Sequence, residues 1–192
     1  MIHAIETTSS ISLEEFLNLP ETKPAQEYQN GKIIQKPMPQ GKHSKLQTTL
    51  ASEINQRAES HQLAYAFTEL RCTFGERSLV PDITVFKWNN IPLDSRGQIV
   101  DRIDIPPDWI IEILSPDQSP LKVIEKISFA LRNGCQLGWL VSPSENIVMV
   151  FQGNQLPETK MGKDPLAVLA ELQEWFITPE IIFGWLSFER LK

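Results

Sequence analysis

Only two cysteines, Cys72 and Cys135, occur in 192 residues, and nothing in their spacing pairs them as ligands of a zinc site. A cysteine-built metal cluster is excluded, and the two read as buried thiols of a protein in a reducing, cytoplasmic compartment. No apolar run approaches the roughly 18 residues that a membrane-spanning helix needs, so no membrane partner is expected. Met1 to Ser10 lacks the basic stretch followed by an apolar segment that marks a secretory leader. Positive charge is scarce too: 18 Lys and Arg stand against 24 Asp and Glu, a net charge of -6. A protein that coats nucleic acid is thereby excluded, because binding phosphates over a wide surface needs clustered Lys and Arg. An enzyme that meets one phosphate with a metal ion and a few lysines is not. No helix-turn-helix signature or basic stripe is present to say which bases would be read.

The hydrophobic share of 41% is enough for one sizeable core, and residues 1–192 read as a single domain. Its centre is the stretch from Pro81 to Gly134. Pro81-Asp82-Ile83-Thr84-Val85-Phe86 has the β-branched pattern of a strand, with Asp82 on the face of Thr84 and Phe86. Trp109-Ile110-Ile111-Glu112-Ile113-Leu114 is too short for a helix and reads as a strand buried on both faces. Glu112 is its anomaly: an unpaired carboxylate in such surroundings costs several kcal/mol, so a cation, a metal ion or hydrogen-bond donors must meet it. A helix follows from about Ser119, with Pro120 in its first turn and Gly134 as its stop, and carries Lys122 and Lys126 one turn apart. Taken singly, Asp82 reads as a turn or strand-start residue, and the lysines as part of a solvated helix face.

Around this centre the chain alternates helices and strands. Ser12 to Leu19 has a capping box, Ser12 with Glu15, and is closed by Pro20. Asn30-Gly31 signals a hairpin whose first strand holds Glu27; nothing in the local pattern buries that acid, so on pattern alone it is a surface residue. From about Ser44 to Ser60 the residues Leu46, Leu50, Ile54 and Ala58 make a helical stripe. His43, at its entrance, reads as a cap or surface residue, and Glu53 as a solvated flank. Leu63 to Phe74 alternates as one long strand, and a turn at Glu76-Arg77 would set Arg71 opposite Asp82, where it would serve a phosphate or neutralise the acid. Residues 87–107 form a long connection without periodicity. Gln136–Val141 and Asn146–Phe151 read as a further strand pair with Trp139 in the core, and a last helix is expected from Asp164-Pro165. The apolar end, Trp175 to Trp185, either caps the core or forms a subunit interface, and a homodimer fits the second reading.

Several of these runs come together as a resemblance. Glu27-Tyr28-Gln29-Asn30-Gly31, Pro81-Asp82-Ile83, Ile111-Glu112-Ile113-Leu114-Ser115-Pro116, Lys126 and Trp139-Leu140-Val141-Ser142-Pro143 resemble, in order and spacing, the Uma-type restriction endonuclease family, abundant in cyanobacteria and assigned to the PD-(D/E)XK nuclease superfamily. The likeness extends from about Leu13 to Leu186. It implies an α/β fold with a mixed central sheet flanked by helices, restriction-endonuclease-like, with an N-terminal hairpin and an apolar C-terminal extension. It also implies metal-dependent cleavage of DNA, with Mg²⁺ or Mn²⁺ held by Asp82, Glu112 and the Ile113 carbonyl. Glu27 matches a family glutamate and Lys126 supplies the amine. Lys122 competes for that role or binds substrate, as Arg71 does. Leu114 stands where the superfamily name expects lysine; Lys122 and Ala130 stand where many members have an acid and a tyrosine. The alternative reading, drawn from Leu114, the acidic balance and the apolar end, is a nuclease fold without catalysis that acts as a binding or assembly module.

Overall fold

The described residues are 11–116, 118–153 and 155–188 of a computed structural model. Helix α1 (Leu13–Leu17) opens on the expected capping box: Ser12 Oγ accepts from the Glu15 N–H while the Glu15 carboxylate reaches back to the Ser12 N–H. Strands β1 (Gln26–Gln29) and β2 (Lys32–Gln35) pair antiparallel around Asn30-Gly31. Both turn residues have positive φ, 51° and 79°, as a turn that matches the strand twist requires. Helix α2 (Gly41–Ala58) starts three residues earlier than its apolar stripe indicates. Strand β3 (Ala64–Thr68) follows.

The expected long strand from Leu63 to Phe74 is two strands in two sheets. Glu69, at φ 53°, takes the left-handed conformation and turns the chain after β3. Strand β4 (Cys72–Phe74) then pairs with β5 (Arg77–Leu79) around Gly75-Glu76, both at positive φ, 54° and 64°. The turn therefore lies one residue earlier than expected: Phe74, not Gly75, is the last paired residue, and its partner is Arg77. The order of this small sheet is β2-β1-β5-β4.

The main sheet adds β6 (Ile83–Lys87), β7 (Trp109–Ile113), β8 (Leu137–Ser142), β9 (Ile147–Gln152) and β10 (Glu158–Met161), in the order β10-β9-β8-β7-β6-β3. It is mixed, because β7 and β8 run parallel while every other pair is antiparallel. The parallel pair is joined by helix α3 (Pro120–Arg132), the crossover such a pair needs. The centre of the sheet is buried on both faces, which is why β6, β7 and β8 read as nearly continuous apolar runs. On one face Leu46, Leu50 and Ile54 of α2 pack on Val85, Trp109, Ile111 and Trp139. On the other, Val123, Ile127 and Ala130 of α3 pack on Phe86, Ile110 and Leu140.

The C-terminal part departs from expectation. Residues 164–176 hold one 3-10 turn, Ala170–Leu172, in place of a helix, and the short helix α4 (Pro179–Gly184) comes later. Leu166, Leu169, Leu172, Ile177 and Ile182 still enter the α2-side core, and the Trp139 indole N–H donates to the Ala167 carbonyl at 2.9 Å. The apolar end caps the core. Residues 87–107 are pinned by Asp108, whose carboxylate accepts from the Lys87 N–H, the Asn90 amide and the Gln136 amide. Cys72 and Cys135 are free and buried, and burial pushes each thiol up to about 12. Among the described residues, no helix is long and apolar enough to cross a membrane.

Candidate active site

Ile83 faces Ile111 across β6 and β7, so Asp82, just before β6, lies beside the end of β7 that carries Glu112, and its carboxylate meets the Ile113 N–H. Both acids are buried. Lys126 arrives from α3, with Nζ 2.7 Å from Glu112 Oε1 and 2.5 Å from Glu27 Oε1 of β1. Glu27 Oε1 also accepts the Val80 N–H at 2.8 Å, which ties the small sheet to the residue just before Pro81. The lysine that the helix pattern assigned to a solvated face is 6% exposed, and the glutamate that the hairpin pattern left on the surface is 5% exposed. Each hides the other's charge.

Asp82 has its own shell. Oδ2 accepts the Ile113 N–H at 2.7 Å and meets His43 Nε2 at 2.9 Å, while Oδ1 lies 2.9 Å from Lys36 Nζ. The Ile113 N–H thus orients this acid, a contact separate from the metal-ligand role that the sequence reading gave to the carbonyl of that residue. Lys36 Nζ also stands 3.0 Å from each Glu69 carboxylate oxygen. The Gln47 amide of α2 donates to Glu69 Oε1 and to the Asp82 carbonyl, both at 2.9 Å. His43 is a buried partner of Asp82, not a surface cap, and its Nδ1 is buried without a hydrogen bond.

These neighbours separate the two acids electrostatically. Burial works to raise the Asp82 carboxyl, but the His43 hydrogen bond and the charges of Lys36 and Lys126 outweigh it and hold the group well below the usual carboxylate range. For Glu112 burial prevails over the pull of Lys126, and the nearby charges of Asp82 and Glu27 add to it; the group is pushed up to about 8. Glu112 Oε1 has the Lys126 charge beside it but no aligned hydrogen bond. Burial disfavours the Lys126 ammonium, yet Glu112, Glu27 and Asp82 raise it above the ordinary lysine range.

The remaining expected residues lie elsewhere. Arg71 is not beside Asp82: its guanidinium holds Glu21 at 2.9 and 2.8 Å, the Gln26 carbonyl and Ser78 Oγ, over the Phe16 ring. The chain turn at Glu69 carries it into the small sheet. Lys122 is exposed on the wall of an open cleft of about 550 Å³ between β1–β2 and the start of α3, a cleft also lined by Glu27, Lys36 and Lys126. Leu114 packs against the α3-side core, so no amine stands two residues after Glu112. Sequence reasoning missed Lys36, Gln47 and Glu69. Lys36 was beyond its reach, since it lies 46 residues from its partner Asp82.

Fold and site together define a restriction-endonuclease-like α/β protein. The profile of the family described as "Putative restriction endonuclease" matches residues 13–180, and the chain belongs to that family. A crystal structure titled as a "putative nuclease" from Anabaena variabilis is 48% identical in sequence, with a TM-score of 0.90 over 92% of this chain and 99% of that one. No match was found among curated proteins.

Proposed function

We propose that this chain is a divalent-metal-dependent nuclease that hydrolyses DNA phosphodiester bonds. One observation carries the reading: Lys126 of α3 joins Glu27 of β1 to Glu112 of β7, with Asp82 on the neighbouring Ile113 N–H, and Glu27 and Lys126 line one open cleft. Family membership and the similar nuclease structure support it.

The donor set fits a divalent ion. Four acids, Glu27, Glu69, Asp82 and Glu112, surround two ammonium groups, Lys36 and Lys126, which leaves two negative charges when all are ionised. Among the described residues, no three of His, Cys, Asp and Glu are grouped so as to hold a metal ion by themselves. Mg²⁺ keeps several waters and takes one or two carboxylates plus substrate oxygens, so two of these acids would be its protein ligands. Asp82 and Glu112 would hold it. Bound there, the ion would lower the pKa of a water and offset charge on the pentacoordinate phosphorus.

The protein groups divide the remaining work. The Ile113 N–H and His43 fix the Asp82 carboxylate, so its direction is set before any substrate arrives. Lys126 is held by Glu27 within reach of Glu112, where its ammonium orients the attacking water or offsets developing negative charge. Glu27 is thus a positioning residue for the amine that Leu114 does not provide. A homodimer belongs to the same proposal, because cutting both strands takes two such sites; light scattering on the eluting protein tests it.

Supercoiled plasmid incubated with Mg²⁺ or Mn²⁺ tests the activity. Nicking that EDTA and Asp82→Ala both abolish supports the nuclease. Intact plasmid across a broad metal and pH screen would leave the fold as a binding or assembly module.

A further inference from the structure

We propose that Lys36 is a second active-site cation, which neutralises Asp82 in the free protein, yields that carboxylate to an incoming divalent ion, and stays on Glu69 to take a phosphate oxygen of the substrate. The proposal rests on the nuclease reading and adds a residue that neither the sequence motifs nor the family resemblance points to.

Three observations carry it. First, Lys36 Nζ is shared between two carboxylates, 2.9 Å from Asp82 Oδ1 and 3.0 Å from both oxygens of Glu69. Asp82 Oδ2 is already committed to the Ile113 N–H and His43, so Oδ1 is the oxygen left for an ion, and it is the one Lys36 covers. An ammonium and a metal ion cannot both hold that lone-pair direction at contact distance. Second, the ammonium has somewhere to stay. Glu69 is fixed by the Gln47 amide, and its side chain is 43% exposed, so the Lys36–Glu69 pair stands at the boundary between the buried acids and solvent. Third, Lys36 lines the same cleft as Lys122 and Lys126. Its flexible four-carbon stem lets the charge swing from Asp82 toward the cleft without movement of β2.

The charge count gives this movement its direction. With the ion on Asp82 and Glu112, Lys36 would face a cation and be repelled, while the partly exposed Glu69 continues to attract it. A phosphodiester oxygen is the anion such a displaced ammonium would meet there.

Lys36→Met decides the matter, with Lys36→Gln in reserve should the first variant not fold. Mn²⁺ alone, titrated by calorimetry, should bind Lys36→Met about tenfold tighter than wild type, because one competing charge at contact distance has been removed. A short fluorescein-labelled DNA duplex, titrated in Ca²⁺ at several salt concentrations, should show the slope of log Kd against log salt reduced by about one, as for the loss of one phosphate contact. Lys36→Arg keeps the charge and should keep that slope. A lysine that only braces the fold would lower stability in Lys36→Met and leave both readouts unchanged, which overturns the proposal. If wild type cuts plasmid while Mn²⁺ affinity and salt slope are the same in Lys36→Met, the Lys36 role fails and the nuclease reading stands. If wild type neither binds Mn²⁺ nor cuts, both fail.

Discussion

The ammonium of Lys126 stands 2.7 Å from the Glu112 carboxylate, although the two residues lie on separate elements, α3 and β7, and both are almost completely buried. A buried pair of this kind makes a weak net contribution to stability, because desolvation offsets most of its attraction, but removing one partner is costly. The two residues therefore have to be tested through chemistry as well as through melting.

Lys126→Ala should lower single-turnover plasmid cleavage by at least about a hundredfold, the scale lost with one charge-stabilising group. Lys122→Ala, on the exposed cleft wall, should stay within several-fold of wild type. Rapid-quench cleavage by both variants, read beside their melting curves, checks the assignment. The reverse ranking would transfer the role to Lys122.

Glu112 makes stability depend on pH. Its folded-state value is raised from the ordinary 4.5 to about 8, so between those values the folded protein binds more protons than the unfolded chain. Stability falls as pH rises through that window and is greatest below it. Asp82 shifts the other way and acts only near and below its ordinary 3.8. Glu112→Gln removes the falling limb. Urea melts of the metal-free proteins should show the variant gaining on wild type by at least about 1 kcal/mol between pH 5 and 8. A difference that stays constant with pH would contradict the assignment.

Arg71 serves as a brace between the N-terminal segment and β5 through Glu21, the Gln26 carbonyl and Ser78. Arg71→Ala should cost about 1 kcal/mol of stability, the scale of the part-buried hydrogen bonds it removes. Its cleavage rate at a temperature where it is folded should remain within several-fold of wild type. A hundredfold loss there would return Arg71 to the substrate.

α3 packs tightly over Gly138 of β8: a Cβ there would run into the Ile127 side chain, with Leu131 and Ile110 next to it. Gly138→Ala should destabilise by about 1–3 kcal/mol through overpacking. Because the helix it displaces carries Lys126, cleavage should fall as well. Urea denaturation and plasmid cleavage of the one variant measure both effects.

Much of this could be read from local pattern. Local pattern determined β6 and β7 as short apolar runs, α2 by its apolar stripe, and α3 by Pro120 at its start and Gly134 after its end. Asn30-Gly31 determined the first hairpin for the same local reason, a turn geometry that few residue types adopt. Glu112 stood out because an acid within an unbroken apolar run has no innocent solvent to face.

What local pattern could not supply was decided by long-range contact. Glu69, a residue type not marked for the left-handed conformation, takes it at φ 53° and splits an apparently continuous strand, which moved Arg71 away from Asp82. The last helix expected from Asp164 did not form, because its leucines are buried equally well from an irregular chain laid over the α2-side core. Glu27, His43 and Lys126 read as surface residues in the sequence, yet each is buried because tertiary packing brings an opposite charge or a hydrogen-bond partner from tens of residues away. Lys36, just after β2, carries no mark in the sequence and is drawn to Asp82 in the same way. The sequence by itself marked the central strands and the helices that pack on them, and picked out two of the acids, through short-range sterics and hydrophobic pattern. Only the tertiary structure decided which charges surround those acids, since Coulombic pairing depends on distance in space and leaves no mark on the spacing of residues along the chain.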